Sequence, residues 1–138
     1  MKHGRIKMKT LLSKKTAGIV LIACLVFLMI FHLLVAVKFL PSDIVWGGTM
    51  DESSAVKYEV IAFVITGFLL LVAIVKTGCV RNRNICKIAN ILIWLMVVYF
   101  AFMILGNLTA KTLAEKVIFI PLSALMFVSS LRLALEKD

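Results

Sequence analysis

Four long apolar runs alternate with short polar connectors along the chain. The first run covers residues 17–40, and the others cover about residues 56–76, 88–106 and 113–133. A helix needs roughly 20 apolar residues to cross the hydrocarbon core of a membrane. The pattern therefore predicts an all-α membrane protein, in which residues 17–134 form one domain of four transmembrane helices. Short connectors also predict that consecutive helices are antiparallel neighbours in an up-down bundle.

Two prolines predict an end and a bend in these helices. Pro41 follows the first apolar run, and proline disfavours helical backbone in the residue before it, so we expect the first helix to end at Leu40. Pro121 lies inside the fourth run. A proline inside a helix removes a backbone donor and clashes with the carbonyl four residues earlier, here Val117. We therefore predict a kink at Pro121.

Two tetrapeptides have the Thr-x-x-Glu spacing of a helix capping box. They are Thr49 with Glu52, and Thr112 with Glu115. In such a box the threonine oxygen accepts the amide of the glutamate, and the glutamate reaches back to the amide of the threonine. We predict that these pairs cap the second and fourth helices.

The composition places most of this apolar surface in lipid. Hydrophobic residues make up 62% of the 138 residues, and the mean hydropathy is +1.07, whereas soluble domains are about half apolar. The first run is too long for the core of a signal peptide, and no convincing cleavage site follows it, so we expect an uncleaved span.

Basic residues are concentrated on one side of the predicted spans. Of the 16 basic residues, six lie in the tail of residues 1–16 and four in the connector between the second and third spans. Two more lie at the C-terminal end with its tail of residues 135–138. This excess marks the cytoplasmic side, which places both termini inside the cell. A basic flank of a span contacts anionic lipid head groups, so the predicted partner is the lipid bilayer and not nucleic acid.

Polar side chains are concentrated towards the outer ends of the predicted spans. If the first helix ends at residue 40, His32 lies about 12 Å inside that boundary. Glu59 and Asn107 lie at a similar level, below a connector that contains Asp43 and Trp46. An ionisable group within a span is costly and usually faces the bundle interior with a partner. These five residues are therefore candidates for a ligand-binding or proton-binding site, with Glu59 and Asn107 as partners of the histidine.

Three of the polar residues at this level also have a plainer interpretation. His32 can be a neutral histidine that forms a hydrogen bond between helices and only makes their packing specific. Trp46 can anchor the membrane interface, or its indole can fold over the bundle, because Gly47 and Gly48 suggest a tight turn. Glu115 is explained by its capping box alone.

A stripe of small and polar residues follows one face of the second helix. Glu59, Ala62, Thr66 and Ala73 recur at helical spacing. Such a stripe lets helices approach closely within a membrane.

The chain contains no motif of a soluble enzyme. It has no phosphate-binding glycine loop, no histidine pair with metal spacing and no nucleophile elbow, so we predict no cofactor and no metal site. A haem needs two axial ligands in most bundles. Since the other histidine is His3 in the tail, only two copies that share His32 could supply them.

One combination of segments resembles a known family. These segments are Phe31-His32-Leu33-Leu34, Pro41, Asp43-Ile44-Val45-Trp46-Gly47-Gly48, Glu59, Gly106-Asn107, Glu115-Lys116 and Pro121-Leu122. They resemble a family of small, uncharacterised bacterial four-helix membrane proteins, and the Trp-Gly-Gly connector is the most specific part of the likeness. It covers nearly the whole chain after the basic tail. The resemblance implies a location in the bacterial inner (plasma) membrane and implies no activity.

Three functions remain open from the sequence. A chain of 15.3 kDa gives a thin bundle with little interior, which favours a non-enzymatic accessory or interaction subunit that forms a homo-oligomer or binds another membrane protein. The alternative is a small transporter, channel or ligand-binding protein that uses the outer site around His32 and Glu59. The second alternative is a membrane enzyme acting on a lipid or quinone. Against an enzyme, the residues supply no set of nucleophile, base and oxyanion donors.

Overall fold

The computed structural model describes residues 12–79 and 82–136. Four of its helices are long and apolar enough to cross a membrane: α1 (Lys14–Ala36), α2 (Glu52–Gly78), α3 (Arg83–Thr109) and α4 (Glu115–Ala134). This part of the chain contains no β-strand. The prediction of an all-helical protein with four helices of membrane-spanning length is therefore confirmed. Most of the predicted basic tail and the last two residues lie outside the described residues.

The predicted end of α1 immediately before Pro41 is wrong, because the helix ends at Ala36. Lys38 has a left-handed φ of +62°, and the amide of Phe39 donates to the carbonyl of Leu34 over 2.9 Å. A left-handed residue followed by this hydrogen bond is a Schellman motif, which satisfies carbonyls that a helix end would otherwise leave free. Helix α1 thus ends by its own backbone hydrogen bonds before the proline can act.

The capping box predicted for α2 is also wrong, because the N-cap residue is Asp51 and not Thr49. The Asp51 carboxylate accepts hydrogen bonds from the Ser53 hydroxyl at 2.7 Å and from the Ser54 amide at 3.0 Å. These bonds lower the pKa of Asp51 to about 2. Aspartate lies immediately before the first helical residue, Glu52, and is a stronger N-cap than threonine, so it takes this position.

Two of the helices contain π-helical turns. Helix α2 ends within the π-helical segment Val75–Cys79, in which Gly78 has a φ of +105°. Helix α4 begins with the π-helical segment Glu115–Phe119 and continues as an α-helix over Ile120–Ala134. Pro121 therefore lies in the first turn of regular α-helix, directly after the π-helical turn. Wider turns of this kind accompany helix bends, and the kink at Pro121 stays a prediction.

The helices do not pack equally against one another. Helix α1 packs extensively against α2 and α4, and α3 packs against α4, whereas α2 and α3 contact each other much less. The buried core contains apolar residues of all four helices: Ala17, Leu21 and Leu25 of α1, Val72 and Ala73 of α2, Ile93, Met96 and Phe100 of α3, and Met126 and Leu133 of α4. The weak contact leaves a gap between α2 and α3 that matters for the site below.

A buried polar cluster ties the ends of the described chain together. The Lys76 ammonium donates to Asn90 Oδ1 at 2.5 Å and to the Glu136 carbonyl at 3.1 Å. Arg132 donates to the Leu12 carbonyl at 2.8 Å and to the Glu136 carboxylate at 2.6 Å. Both basic residues are buried, although the sequence analysis counted them among the basic flanks that contact lipid head groups. Their hydrogen bonds offset the cost of removing the charges from water.

The close approach of α1 to the end of α2 can be tested at Gly18. An added Cβ there would lie 2.5 Å from side-chain atoms of Thr77, whose hydroxyl is bonded to the Ala73 carbonyl. We expect Gly18→Ala to lower the free energy of unfolding by about 1–3 kcal/mol, the usual effect of overpacking. Thermal unfolding of the purified protein in detergent measures the change.

Gly106 provides the matched control, because an added Cβ there meets nothing within 4 Å. We expect Gly106→Ala to stabilise the helix by about 0.5–1 kcal/mol, since alanine loses less conformational freedom than glycine on folding. Equal shifts of the melting temperature in the two variants would contradict the close approach at Gly18.

Candidate functional site

A cavity of about 310 Å³ lies between the four helices and the connector that joins α1 to α2. Leucine, methionine and aromatic side chains form most of its wall. The polar residues on the wall come from every helix: His32 of α1, Glu59 and Thr66 of α2, Asn107 of α3 and Glu115 of α4. The cavity thus combines apolar walls with a few converging polar groups, which is the usual character of a small-molecule site.

Glu59 lies at the centre of the polar groups. Its side chain is only 1% exposed. Its Oε2 lies 2.6 Å from Nδ1 of His32, and its Oε1 accepts the indole N–H of Trp46 at 2.7 Å. When Glu59 is ionised its oxygens only accept hydrogen bonds, and Nδ1 of His32 is then the donor of this pair. Nε2 is then the imidazole nitrogen left for another group in the cavity.

The predicted pairing of His32 with Glu59 is therefore present, but His32 lies closer to the end of its helix than expected. Because α1 ends at Ala36, His32 lies four residues, or about 6 Å, from the helix end rather than about 12 Å. Glu59 lies seven residues, or about 10 Å, after the first residue of α2. The two side chains meet near the ends of their helices, close to the connector.

Three consecutive residues of the connector have left-handed backbone. The φ angles are +53° at Trp46, +72° at Gly47 and +67° at Gly48. A large L-residue such as tryptophan rarely adopts this conformation. A Cβ on Gly48 would lie 2.8 Å from the backbone oxygen of Asp43, so only glycine fits the turn. This tight turn directs the Trp46 indole back towards the helices.

Of the two interpretations of Trp46, the structure agrees with the one in which the indole folds over the bundle. The indole N–H is bonded to Glu59 and the ring lines the cavity, while 40% of the residue remains exposed. The Trp46 and Tyr58 rings are in contact, with centroids 5.4 Å apart. Asp43 does not take part: it lies on the exposed surface of the connector and is not among the lining residues. Its role as a site residue stays a prediction that the geometry of the cavity does not support.

Glu115 belongs to the site, although the sequence suggested only a helix cap. Its amide lies 3.3 Å from the Thr112 hydroxyl, which in turn donates to its carboxylate. The other carboxylate oxygen accepts the amide of Gly47 at 3.2 Å. Adjacent connector residues, Trp46 and Gly47, thus donate one hydrogen bond each to Glu59 and Glu115. A contact between residues 68 positions apart carries no signal in local sequence spacing.

Asn107 lines the cavity but is not the partner of His32 that we predicted. Its amide nitrogen donates to the Phe119 carbonyl at 3.4 Å and to Ser123 Oγ at 3.2 Å, and Ser123 also donates to that carbonyl. Both acceptors belong to α4, whose π-helical turn ends at Phe119. Asn107 therefore joins α3 to α4 rather than extending the pair around Glu59.

Thr66 is a site residue that sequence reasoning placed only in a packing stripe. It is 5% exposed and lines the cavity. Its hydroxyl makes no hydrogen bond with any described residue, whereas Thr77 of the same helix donates to a backbone carbonyl. No fully buried side-chain oxygen among the described residues lacks a partner, so the Thr66 oxygen is accessible on the wall of the cavity. The position therefore suits a ligand that supplies the missing partner.

The electrostatic character of the cavity is acidic. Glu59 and Glu115 contribute two carboxylates and His32 one imidazole, and no lysine or arginine is among the lining residues.

Within residues 12–79 and 82–136, no three side chains of the types that ligate metals come together as a metal site. His3, the second histidine in the haem alternative, lies outside the described residues.

The hydrogen bond from Trp46 to Glu59 can be tested by Trp46→Phe. The variant keeps an aromatic ring but leaves one oxygen of a buried carboxylate without its donor. We expect the free energy of unfolding to fall by about 1–3 kcal/mol, as is typical for a hydrogen bond to a charged group. Chemical or thermal unfolding in detergent measures it.

Trp94→Phe is the matched control, since Trp94 of α3 is 46% exposed and the loss of ring area is the same. We expect a change within about 0.5 kcal/mol there. Similar losses in both variants would mean that the indole N–H does not stabilise the site.

No protein family model, curated protein or solved structure matches this chain. The resemblance to small bacterial four-helix membrane proteins therefore stays a prediction, and the function has to be argued from the geometry of the cavity.

Proposed function

We propose that this protein binds a small amphipathic molecule in the cavity between its four helices. The observation that carries the proposal is the cavity itself: about 310 Å³ of space with mainly apolar walls and the His32–Glu59 pair among them. Ligand sites commonly have this size, with apolar walls that supply affinity and a few polar groups that orient the ligand.

The polar groups are held in place before any ligand arrives. Glu59 holds the His32 ring through Nδ1, and Trp46 holds the carboxylate through its second oxygen. A carboxylate behind a histidine sets both the ring orientation and the nitrogen that faces outward. Nε2 of His32 and the unpaired hydroxyl of Thr66 can then form hydrogen bonds with a polar group of the ligand. Fixed groups of this kind lower the entropic cost of binding.

The cavity favours the ligand-binding alternative over the accessory subunit that the sequence favoured. Protein interiors are close-packed, with few voids larger than a water molecule, and a bundle that served only to hold its helices together would be expected to fill this space. Transport by this site, an enzymatic reaction on a lipid or quinone, and association with another membrane protein or a second copy stay predictions.

We also propose that the chain crosses the plasma membrane four times, with antiparallel neighbouring helices and both termini in the cytoplasm. The length and hydropathy of α1–α4 support the four spans. The contacts of His32 with Glu59 and of Gly18 with Thr77 support opposite directions for α1 and α2. The excess of basic residues on the side of the termini supports the orientation.

The topology predicts which single cysteines react from outside the cell. In a background with Cys24→Ala, Cys79→Ser and Cys86→Ser, we expect Thr49→Cys to be labelled by a membrane-impermeant maleimide in intact cells. Asn84→Cys, at the start of α3, should be labelled only after the cells are opened. Both positions are exposed in the structure. The reverse pattern would overturn the proposed orientation, and labelling of both in intact cells would contradict it.

Filling the cavity should abolish binding. We propose to measure three probes that share a decyl chain: decyltrimethylammonium, decyldimethylphosphine oxide and decyl sulfate, which are cationic, neutral and anionic. Equilibrium dialysis against the full chain in phosphatidylcholine nanodiscs, with empty nanodiscs as background, should show at least one of them bound at one per chain. Ala62 lines the cavity, and Ala62→Phe should weaken that binding at least about tenfold, equivalent to about 1.4 kcal/mol.

Val64→Phe adds the same ring to the same helix at a position that is exposed. It should bind the probe as the wild type does. Binding of none of the three probes, or equal binding by the two phenylalanine variants, would refute the cavity as the binding site.

A further inference from the structure

We propose that the ligand is a lipophilic organic cation, bound with its positive charge near Glu59 and Glu115 and its apolar part between α2 and α3. This inference rests on the proposed function, because it names the chemical class of the molecule in the same cavity. Four features of the structure support it: the charges of the wall, its aromatic rings, the unpaired hydroxyl of Thr66, and an apolar groove that continues from the cavity.

The charges of the wall favour a cation over an anion. Two carboxylates and one imidazole line the cavity, without a lysine or arginine among the lining residues. With both carboxylates ionised, one negative charge remains even when His32 is protonated. Within apolar surroundings a phosphate or carboxylate head group would be repelled by Glu59 and Glu115, whereas a cation would offset the cost of burying them.

The carboxylates have capacity left for such a charge. Glu59 accepts two hydrogen bonds, from His32 and Trp46, and Glu115 accepts from Gly47 and Thr112. A carboxylate has about four acceptor positions on its two oxygens. Both groups can therefore keep their present partners and still interact with a cation in the cavity.

Aromatic rings make up a large part of the same wall. Six of them line the cavity: Phe31, Trp46, Tyr99, Phe100, Phe102 and Phe119. The face of an aromatic ring attracts an organic cation, and sites for quaternary ammonium groups use several such rings. Rings and carboxylates together suit a large, weakly hydrated cation. A small inorganic ion instead requires a shell of several oxygen ligands.

The hydroxyl of Thr66 is an independent sign of a ligand. Thr66 lies on the wall of the cavity with 5% of the residue exposed, and its hydroxyl makes no hydrogen bond with the described part of the chain. Its hydroxyl can form a hydrogen bond with a polar atom of the ligand that lies between the charged group and the apolar part. The hydroxyl lies on the same helix as Glu59, seven residues or about 10 Å further along it, which places it towards the apolar end of the cavity.

The apolar part of the ligand has a place in the gap between α2 and α3. A second cavity of about 210 Å³ lies there, lined by Phe68, Leu69, Val72, Leu92, Leu95, Met96 and Tyr99. Leu69 and Tyr99 line both cavities, so the two spaces are neighbours. Helices α2 and α3 also have the weakest contact among the sequential helix pairs. A hydrophobic group attached to the cation can therefore lie along this groove, and the ligand can enter from the lipid rather than from water.

Two probes of the same shape and opposite charge test the inference. Tetraphenylphosphonium and tetraphenylborate should be measured by equilibrium dialysis against the full chain in phosphatidylcholine nanodiscs, with empty nanodiscs subtracted. We expect the phosphonium to bind at one per chain and at least about tenfold more tightly than the borate. Equal binding of the two ions, or tighter binding of the borate, would overturn the inference.

Variants assign the preference to the cavity. Glu115→Gln keeps the shape of the side chain and removes its charge, and we expect it to weaken phosphonium binding about tenfold with no loss of borate binding. Glu52→Gln is the matched control, because Glu52 is an exposed acid near the same connector and should leave both affinities unchanged. A parallel loss in Glu52→Gln would indicate attraction by surface charge alone and would also overturn the inference.

The two proposals fail in different ways. If Ala62→Phe blocks the binding of a decyl probe but the wild-type chain binds the phosphonium no more tightly than the borate, the cavity binds ligands and the cation assignment is wrong. If no probe responds to Ala62→Phe, the binding function itself is wrong. If Glu115→Gln proves unstable, the comparison of the two ions on the wild-type chain still decides the charge preference.

Discussion

A buried carboxylate, Glu59, is the constraint around which the connector end of this bundle is arranged. An acidic side chain that is 1% exposed among apolar residues is costly unless strong donors surround it. The chain supplies two, the His32 ring from α1 and the Trp46 indole from the connector. Supplying these two donors constrains the backbone. Helix α1 has to present His32 near its own end, and the connector has to turn through left-handed residues so that the Trp46 indole points back to Glu59.

The same connector also holds the second carboxylate. The amide of Gly47 donates to Glu115, so the short turn links α1 and α2 to α4. Without these donors, the carboxylates of Glu59 and Glu115 would repel each other. At the opposite end, Arg132 and Lys76 are bonded around Glu136. The bundle is thus tied by polar contacts at both ends, and its middle depends on apolar packing.

The two sides of the cavity consequently differ in character. One side carries Glu59, His32 and Trp46 in a network of hydrogen bonds with little freedom. The other side is formed where α2 and α3 have few contacts, and apolar side chains line the gap there. A fixed polar wall opposite a loosely packed apolar wall suits a molecule that has a polar head and an apolar body. Under the proposed function, such a molecule would enter from the lipid phase between α2 and α3.

The sequence by itself determined the four helices and the pairing of His32 with Glu59. Helix length and apolar content follow from composition, and an ionisable residue within an apolar helix needs a partner at its own level. Local rules failed where tertiary contacts or a stronger local signal competed. A Schellman motif ended α1 before Pro41, and Asp51 replaced Thr49 as the cap of α2. Asn107 formed its hydrogen bond with Ser123 of α4 instead of with His32. The site role of Glu115 and the unpaired hydroxyl of Thr66 were decided by tertiary structure alone. They depend on how helices distant in the chain enclose a common space, which no pattern of neighbouring residues records.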